Sequence, residues 1–364
     1  MSKIYLSPPH MSGKEIEYIK DVFESNYIAP VGEYINKFEE AIKNYTKTKN
    51  ALALINATSA IHLALRVLGV DERDKVAVST FTFIGGVAPI LYQKAEPIFI
   101  DSNESWNMDP NLLEDALKKE KIKAVIVAHL YGQVAKIEEI KYLCKKYRVF
   151  LIEDVAESLG ATLNNKHSGT FGDFGVYSFN GNKLLTTSSG GMLVSNNEEF
   201  IKKARFLSTQ AKDEALWYEH STYGYNYRMS NVLAAIGVAQ MEVVEERIKR
   251  KREIFEIYKK ELNHLGEFMP EIQNSRGNRW LTTMIFNELE PINVVKFLAS
   301  KNIESRPLWK PMHMQPLFKN AKSYLNGVSE NLFKKGICLP SGTAMSDEEI
   351  LKVSEYVREF AKTN

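Results

Sequence analysis

The sequence has few cysteines and almost no excess of either charge. Only Cys144 and Cys338 occur in 364 residues, each within an apolar stretch and neither in a Cys-x-x-Cys spacing. This argues against a disulfide framework or a thiolate zinc site. Lysine plus arginine number 47 against 45 aspartate plus glutamate, a net charge of +2. Because a nucleic-acid-binding surface needs a basic stripe, this balance argues against nucleic acid as a partner.

Long apolar runs are also missing. No uncharged apolar stretch reaches the roughly eighteen residues of a membrane span, and residues 1–10 lack the apolar core of a signal peptide. We therefore expect a soluble, cytoplasmic protein with no membrane partner. What is present suits a large core, since 44% of the residues are hydrophobic and 25% charged. The length predicts one large domain with a smaller companion.

Short apolar runs alternate with amphipathic segments from residue 51 to about residue 200. This alternation is typical of strands joined by crossover helices, and it predicts an α/β fold with a mainly parallel sheet. The predicted strands are residues 51–55, 75–79, 97–100, 124–128, 150–153, 175–179 and 191–195. The predicted helices are residues 59–68, 85–93, 111–119, 137–147 and 198–206.

The C-terminal part has a different pattern. Residues 234–262 are highly charged and apolar at helical spacing, which predicts a long helix linking the large domain to a smaller one. We place the boundary near residue 245, with a large domain of residues 1–245 that includes an N-terminal arm. Residues 246–364 then form a smaller α+β domain, ending in an amphipathic helix over residues 347–362.

Three polar segments next to predicted strands carry residues that could do chemistry. Thr58 and Ser59 lie at the start of an apolar helix, where free backbone N–H groups attract anions, and helix capping is their alternative role. Asp154 ends an apolar strand, where the ligand cleft of an open parallel sheet lies, and it too has a capping alternative. Lys183 lies among small polar residues and could form a Schiff base, although most lysines are solvated.

Together these segments supply an anion cradle, a buried acid and an amine at one sheet. Pyridoxal phosphate needs a helix N-terminus for its phosphate, a carboxylate for its pyridine nitrogen and a lysine for its aldehyde. The sequence therefore predicts a pyridoxal phosphate site. No Gly-x-Gly-x-x-Gly follows the first strand, which argues against a nicotinamide-dependent oxidoreductase.

Five motifs extend this prediction over nearly the whole chain, and they resemble the DegT/DnrJ/EryC1 sugar-nucleotide aminotransferases. They are Thr58-Ser59-Ala60, Glu153-Asp154-Val155-Ala156-Glu157, Gly169-Thr170-Phe171-Gly172-Asp173-Phe174-Gly175, Ser178-Phe179 followed by Lys183, and Gly224-Tyr225-Asn226-Tyr227-Arg228-Met229. The resemblance implies a fold type I, pyridoxal-phosphate-dependent aminotransferase that works as a homodimer with shared active sites.

The resemblance also implies a role for each matching residue. Lys183 is the Schiff-base lysine and proton carrier, and Asp154 is the partner of the pyridinium nitrogen. The remaining implied cofactor contacts are the phosphate ligands Thr58, Ser59 and Ser178, the ring-stacking Phe83, Glu157 beside the phenolic oxygen, and Asn226 reaching the phosphate from the neighbouring subunit. Core packing is the alternative for Phe83, and a turn position is the alternative for Asn226.

A further set of runs resembles the aminotransferases that act on carbon 4 of a UDP-linked 4-keto-6-deoxy-N-acetylhexosamine in bacillosamine synthesis. These runs are residues 6–11, 25–30, 208–211, 306–313 and 338–345. The resemblance implies L-glutamate as the amino donor. The nucleotide needs cationic and aromatic contacts, for which the candidates are Arg228, Arg306, Trp309 and His313, with ion pairing or packing as their alternative roles.

Other functions stay open at this point. The sugar nucleotide could be GDP- or dTDP-linked and aminated at carbon 4 or carbon 3. A dehydratase using the same cofactor is a rival within the group, but members with that activity replace the lysine found here at Lys183. A non-catalytic binding or regulatory protein is the rival of a different class.

Overall fold

The computed structural model describes residues 3–363, whose strands form an eight-stranded, a four-stranded and a three-stranded sheet. The α-helices in chain order are α1 (Glu15–Glu24), α2 (Glu33–Thr46), α3 (Ala57–Val67), α4 (Ala88–Tyr92), α5 (Pro110–Lys119), α6 (Ile137–Tyr147), α7 (Glu198–Ser208), α8 (Asn231–Met241), α9 (Val244–Leu262), α10 (Pro291–Ser300), α11 (Val328–Lys335) and α12 (Asp347–Thr363). The strands are β1 (Asn50–Leu54), β2 (Lys75–Ser79), β3 (Glu96–Ile100), β4 (Ile122–Ala128), β5 (Phe150–Asp154), β6 (Thr162–Leu163), β7 (Lys166–His167), β8 (Phe174–Ser178), β9 (Gly191–Ser195), β10 (Gly266–Phe268), β11 (Ser275–Arg276), β12 (Thr282–Phe286), β13 (Arg306–Pro307), β14 (Ser323–Tyr324) and β15 (Gly336–Leu339).

The eight-stranded sheet has the order β1-β9-β8-β5-β4-β2-β3-β14. Six neighbouring strands of this sheet run parallel to one another, namely β8, β5, β4, β2, β3 and β14. Strand β9 runs antiparallel to both β1 and β8. All seven strands predicted between residues 51 and 195 belong to this sheet. Because parallel neighbours need crossover connections, the helices between them cover the faces of the sheet.

Both faces of the large sheet are buried, as the alternation of side chains along its strands shows. In β1, Leu52 and Leu54 pack in a core with α3, α4 and α7, whereas Ala51 and Ala53 pack with α1, α2 and α8. Val125 of β4 belongs to a third core, under α5 and α6. The predicted α/β fold, a mainly parallel sheet with helices on both faces, is confirmed.

The C-terminal part contains the antiparallel sheet β10-β12-β15-β13. Helices α9, α10 and α12 pack on this sheet through a core that includes Phe286, Leu298 and Val353. We propose the domain division near residue 245, into residues 1–245 and 246–364. Met1, Ser2 and Asn364, at the outer ends of these two domains, lie outside the described residues.

Two segments cross this proposed boundary. In the N-terminal arm, Ile4 packs in the C-terminal core, and the Leu6 carbonyl accepts a hydrogen bond of 2.7 Å from the Ser341 N–H. In the other direction, β14 pairs with β3 at the edge of the large sheet. The arm and the C-terminal part are therefore tied to each other and to the large sheet.

Two predicted helices differ from the observed ones. Residues 234–262 form α8 and α9 instead of one helix, because Val243 leaves helical geometry (φ −111°, ψ 11°). At this point the chain passes from the core that contains α2 to the C-terminal core. Residues 85–93 form a short 3₁₀ turn and then α4, which has Pro89 in its first turn. Proline lacks the N–H that a helix interior needs but is tolerated at a helix start.

Helices α1 and α2 are not among the elements predicted from the sequence. Within residues 3–363, no helix is both long enough and apolar enough to cross a membrane.

Candidate active site

A cavity of about 790 Å³ lies at the carboxyl ends of the central strands. Its wall includes His129, which follows β4, Asp154 at the end of β5 and Ser178 at the end of β8. The N-terminal arm and the C-terminal part complete the wall, the latter with residues such as Trp280. Ligands of open parallel sheets bind at this edge, so the cavity is where the predicted site should be.

Asp154 presents its carboxylate to the cavity. Its Oδ1 accepts a hydrogen bond of 3.1 Å from the Ala156 N–H, and its Oδ2 has no hydrogen-bond or ion-pair partner among residues 3–363. Burial raises the pKa of this carboxyl, while the Ala156 N–H and the charge of Lys183 oppose the rise. Asp154 caps no helix in the described chain, so its carboxylate is available to a cation placed in the cavity.

Lys183 and Glu157 face each other on the cavity wall. The Lys183 ammonium lies 3.7 Å from Glu157 Oε1 and 4.1 Å from the centre of the Trp280 ring. The Tyr131 N–H donates to Glu157 Oε2 at 2.6 Å. Burial raises the pKa of Glu157 to about 7, although Lys183 and the Tyr131 N–H both act to lower it. With only 12% of its side chain exposed, Lys183 is an amine shielded from bulk water but open to the cavity.

The N-terminus of α3 forms another part of the wall. Asn56 caps this helix by accepting from the Ser59 N–H at 2.8 Å, so neither Thr58 nor Ser59 is the cap. The N–H groups of Ala57 and Thr58 have no acceptor within the described chain. Thr58 lines the cavity, as does Ser178, whereas Ser59 is buried and is not one of the lining residues. This end of the cavity offers free N–H groups and hydroxyls to an anion.

Phe83 extends an exposed ring into the cavity wall, with 59% of the residue accessible. Its ring centre lies 5.6 Å from that of Trp309, which also lines the cavity. Gly85 and Gly86 follow Phe83, and a Cβ at Gly86 would lie 2.8 Å from Asp154 Oδ2. The glycine therefore lets this turn approach the carboxylate. The exposed Phe83 ring is available to stack on a flat ring bound in the cavity, and its exposure does not fit the core-packing alternative.

Of the four predicted nucleotide contacts, the structure brings Arg306 and Trp309 to the cavity but not Arg228 or His313. Arg306 is exposed and pairs with Glu304 at 3.0 Å. The ring nitrogens of His313 contact Thr80 Oγ1 at 2.7 Å and Glu330 at 3.3 Å, so this histidine ties neighbouring segments together.

Arg228 and Asn226 lie outside the cavity of their own chain. Arg228 is largely buried, 3.9 Å from Glu39, and its Nε has no hydrogen-bond partner in the part of the chain that the structure describes. Asn226 is exposed, and its backbone forms an isolated bridge with Thr209.

A buried pair next to Asp154 was not predicted as functional. The Glu153 carboxylate accepts from His129 Nε2 at 2.9 Å, and the Ala135 N–H donates to His129 Nδ1, which places the proton of the ring on Nε2. The same carboxylate accepts backbone hydrogen bonds of 2.6 to 2.8 Å from Gly169, Phe171 and Gly172. The first part of the Gly-rich motif, residues 169–172, is thus a loop held by Glu153 ahead of β8, and these contacts fix the strand end that carries Asp154.

The N-terminal arm also contributes to the wall, through residues 5–9. The Ser7 hydroxyl donates to the Asn182 carbonyl at 3.1 Å, and Trp280 Nε1 donates to the same oxygen at 2.8 Å. The run of residues 6–11 was the feature of the sequence that drew attention to the arm. Trp280 lies in none of the motifs, and only the folded chain places it against Lys183.

Comparisons with known proteins identify the family of this chain. Residues 9–358 match the DegT/DnrJ/EryC1/StrS aminotransferase family. The chain is 54% identical to the putative pyridoxal phosphate-dependent aminotransferase EpsN of Bacillus subtilis, over 98% of this chain and 95% of that protein. It is 38% identical to the GDP-perosamine synthase of Escherichia coli, over 99% of each.

A solved structure is similar over the same length. It is the PLP form of a putative sugar aminotransferase from Streptococcus pneumoniae, with a TM-score of 0.93, 25% identity and 99% coverage of both chains. The family match extends over nearly all of the chain, as the motifs predicted. This chain belongs to the DegT/DnrJ/EryC1/StrS family of aminotransferases.

Proposed function

We propose that this chain transfers the amino group of L-glutamate to carbon 4 of a UDP-linked 4-keto-6-deoxy-N-acetylhexosamine, giving a UDP-4-amino-4,6-dideoxy sugar. The observation that carries the proposal is the convergence of Lys183 with Asp154 and Glu157 on one cavity wall, from two segments that lie apart in the sequence. The resemblance of residues 6–11, 306–313 and 338–345 to the UDP-sugar enzymes supports the choice of acceptor.

The cofactor is pyridoxal phosphate, as the family indicates. The residues present fit it: the unpaired Oδ2 of Asp154 suits a protonated ring nitrogen, and the free N–H groups at the start of α3 suit a phosphate. When bound, the cofactor supplies an electron sink that stabilises negative charge on the carbon losing its proton. Burial of the Asp154 carboxylate without a cation in contact is costly, and a cationic ring would offset that cost.

Each residue then has a proposed task. Thr58 and Ser178 bind the phosphate, with Ser59 as an expected third ligand, and Phe83 stacks on the ring. Lys183 holds the cofactor covalently and, once released, moves a proton between the substrate carbon and the cofactor carbon that bore the aldehyde. Glu157, 3.7 Å from the Lys183 amine, orients that amine and can share a proton with it, because the pKa of Glu157 is raised to about 7.

We further propose that two copies of the chain form a homodimer with shared active sites. Asn226 is exposed and lies away from its own cavity, which leaves it available to a cofactor bound in a second copy. Residues around it also expose large apolar side chains, among them Leu216, Trp217 and Tyr223. Arg228, with its unpaired Nε, is the proposed nucleotide contact that would act from the same segment.

A second candidate acceptor is a GDP-linked 4-keto sugar, because the chain is 38% and 36% identical to two GDP-perosamine synthases. In the cavity, Arg306 and Trp309 offer cationic and aromatic contacts that suit any nucleoside diphosphate. These contacts do not distinguish a uracil from a guanine base. The choice of UDP over GDP therefore rests on the sequence runs that resemble the UDP-sugar enzymes, and a substrate assay decides between the two nucleotides.

The test is a substrate panel. The protein loaded with pyridoxal phosphate is given L-glutamate with UDP-, GDP- or dTDP-linked 4-keto-6-deoxy sugars, and kcat/KM is measured for each. We expect the UDP-linked N-acetyl sugar to exceed the others by at least about tenfold. A higher kcat/KM for the GDP sugar would replace the proposed acceptor. Release of 2-oxoglutarate without transfer to any sugar would refute the sugar assignment, and Lys183→Ala serves as the inactive control.

A further inference from the structure

Lys251 is a second buried lysine, on α9 and outside the motifs. Only 2% of the residue is exposed, and its ammonium has no carboxylate within ion-pair distance in residues 3–363. The cavity lining does not include it. Burial of an ammonium away from any anion costs free energy, and this cost lowers the pKa of Lys251 to about 7.

The ammonium of Lys251 has three acceptors, which belong to three distant segments. It donates to the Trp280 carbonyl at 2.8 Å, to the Ser341 carbonyl at 2.5 Å and to the Ser7 hydroxyl at 3.3 Å. Ser7 belongs to the N-terminal arm, and the other two belong to the C-terminal part. When the amine is protonated, all three of its N–H donors are thus used to hold segments that meet at the cavity.

Two of these acceptor residues, Ser7 and Trp280, also contact the segment that carries Lys183. The Ser7 hydroxyl and Trp280 Nε1 both donate to the carbonyl of Asn182, at 3.1 and 2.8 Å. Asn182 immediately precedes Lys183, and the ring of Trp280 lies 4.1 Å from the Lys183 ammonium. Lys251 therefore contacts the two residues that fix both the backbone and the amine of the reactive segment, while it remains outside the cavity itself.

An apolar side chain of similar length would avoid the cost of burying this charge, but it would leave the Ser7, Trp280 and Ser341 oxygens without this donor. We propose that Lys251 is a positioning residue: by holding Ser7 and Trp280 in place, it fixes the Asn182 carbonyl and thereby the direction of the Lys183 amine. The inference rests on the proposed function, in which Lys183 holds the cofactor. In this proposal, the enclosed Lys251 sets the position of the Lys183 amine in the cavity.

The test compares Lys251→Met with Lys249→Met. Methionine keeps the length and removes the three donors, whereas Lys249 is two residues away on the same helix with 79% of its side chain exposed. The first readout needs no cofactor: hydrogen exchange of a peptide spanning residues 178–187. We expect faster exchange in Lys251→Met and unchanged exchange in Lys249→Met, because only the former loses the support of the Asn182 carbonyl.

The second readout uses the loaded enzyme. We expect Lys251→Met to shift the visible absorption band of the lysine-bound cofactor and to lower kcat about tenfold, with less than about a twofold change in the KM for L-glutamate, as a misplaced amine predicts. Lys249→Met keeps the wild-type band and kcat. Wild-type exchange, spectrum and kcat in Lys251→Met would overturn the inference.

A third variant, Ser7→Ala, carries the test if Lys251→Met does not fold. It removes one of the two links between Lys251 and the Asn182 carbonyl, the link through the Ser7 hydroxyl, and leaves the link through Trp280 and the buried amine in place. We expect the same direction of change in exchange and spectrum, and unchanged values would refute the inference. The proposed function has a separate failure: a wild-type protein without the visible band or turnover refutes it, while the hydrogen-exchange comparison still decides the role of Lys251.

Discussion

Lys183 and Lys251 are both withdrawn from bulk water, yet their surroundings differ. Lys183 lines a cavity, faces the Glu157 carboxylate at 3.7 Å and lies beside an aromatic ring. Lys251 is enclosed by two backbone carbonyls and a hydroxyl, without an anion. Burial alone therefore does not single out one of the two amines. Access to a cavity and a carboxylate neighbour make Lys183 the proposed reactive amine.

The largest effect is expected for Lys183→Ala, which removes the reactive half of the comparison. The variant should lose the visible absorption band of the lysine-bound cofactor, and turnover should fall by many orders of magnitude, because both the covalent anchor and the proton carrier are lost. Spectra and steady-state assays check this. Substantial turnover by the variant would mean that another group carries the proton.

Asp154→Asn tests the carboxylate that completes the reactive site. The shape of the side chain is kept, but the charge that keeps the ring nitrogen protonated is removed, so the cofactor should still bind. We expect kcat to fall by roughly a hundredfold or more. Cofactor titration and single-turnover kinetics separate binding from proton transfer. Kinetics close to wild type would assign the ring nitrogen to a different partner.

Subunit mixing tests whether the reactive site is completed by a second copy. Lys183→Ala should be inactive, and Asn226→Asp nearly so, because it sets a carboxylate against the cofactor phosphate. Random exchange makes about half the dimers mixed, with one intact site in two, so activity should recover to roughly a quarter of wild type. If mass analysis confirms mixed dimers and activity does not recover, Asn226 acts within its own subunit or only in a turn.

The enclosed lysine should appear in the pH dependence of stability. Its folded pKa of about 7 lies below its ordinary value of 10.5. Between these two pKa values the unfolded chain binds a proton at Lys251 that the folded chain has released. The free energy of unfolding therefore rises with pH in this window, and the added stability is lost as the pH falls to 7. Lys251→Met lacks the rise, which amounts to about 4 kcal/mol over three pH units.

Denaturant unfolding of wild type, Lys251→Met and Lys249→Met at pH 7, 8.5 and 10 checks this prediction. The difference between wild type and Lys251→Met should grow in favour of wild type as pH rises, while Lys249→Met should follow wild type. A difference that stays constant with pH would show that Lys251 does not titrate in this window.

Much of the large sheet could be predicted because its strands are apolar on both faces and separated by amphipathic segments. The break at Val243 could not, because it depends on which core each turn of helix meets, whereas the later start of α4 has a local signal in Pro89 that the prediction of a helix over residues 85–93 did not use. The candidate active site also has a part that the sequence predicts and a part that it does not. Lys183 and Asp154 follow strands within motifs, so their convergence follows from the parallel sheet.

The helical spacing places Lys251 on the inner face of α9, in phase with Ile248 and Phe255, but it does not show that the ammonium is enclosed. The groups that surround the ammonium depend on the tertiary position of α9, because they come from segments far away in the sequence. Trp280 likewise belongs to no motif, and it reaches Lys183 from the C-terminal part. Contacts between segments far apart in sequence are fixed by packing, which local patterns do not encode.

Reductive trapping tests the contrast between the two lysines most directly. The wild-type protein is loaded with pyridoxal phosphate, treated with borohydride to make the lysine–cofactor bond permanent, digested and mapped by mass spectrometry. We expect the cofactor mass on the peptide that contains Lys183 and none on the peptide that contains Lys251. Label on Lys251, or wild-type labelling in a Lys183→Ala protein, would contradict the claim that the cavity lysine is the reactive one.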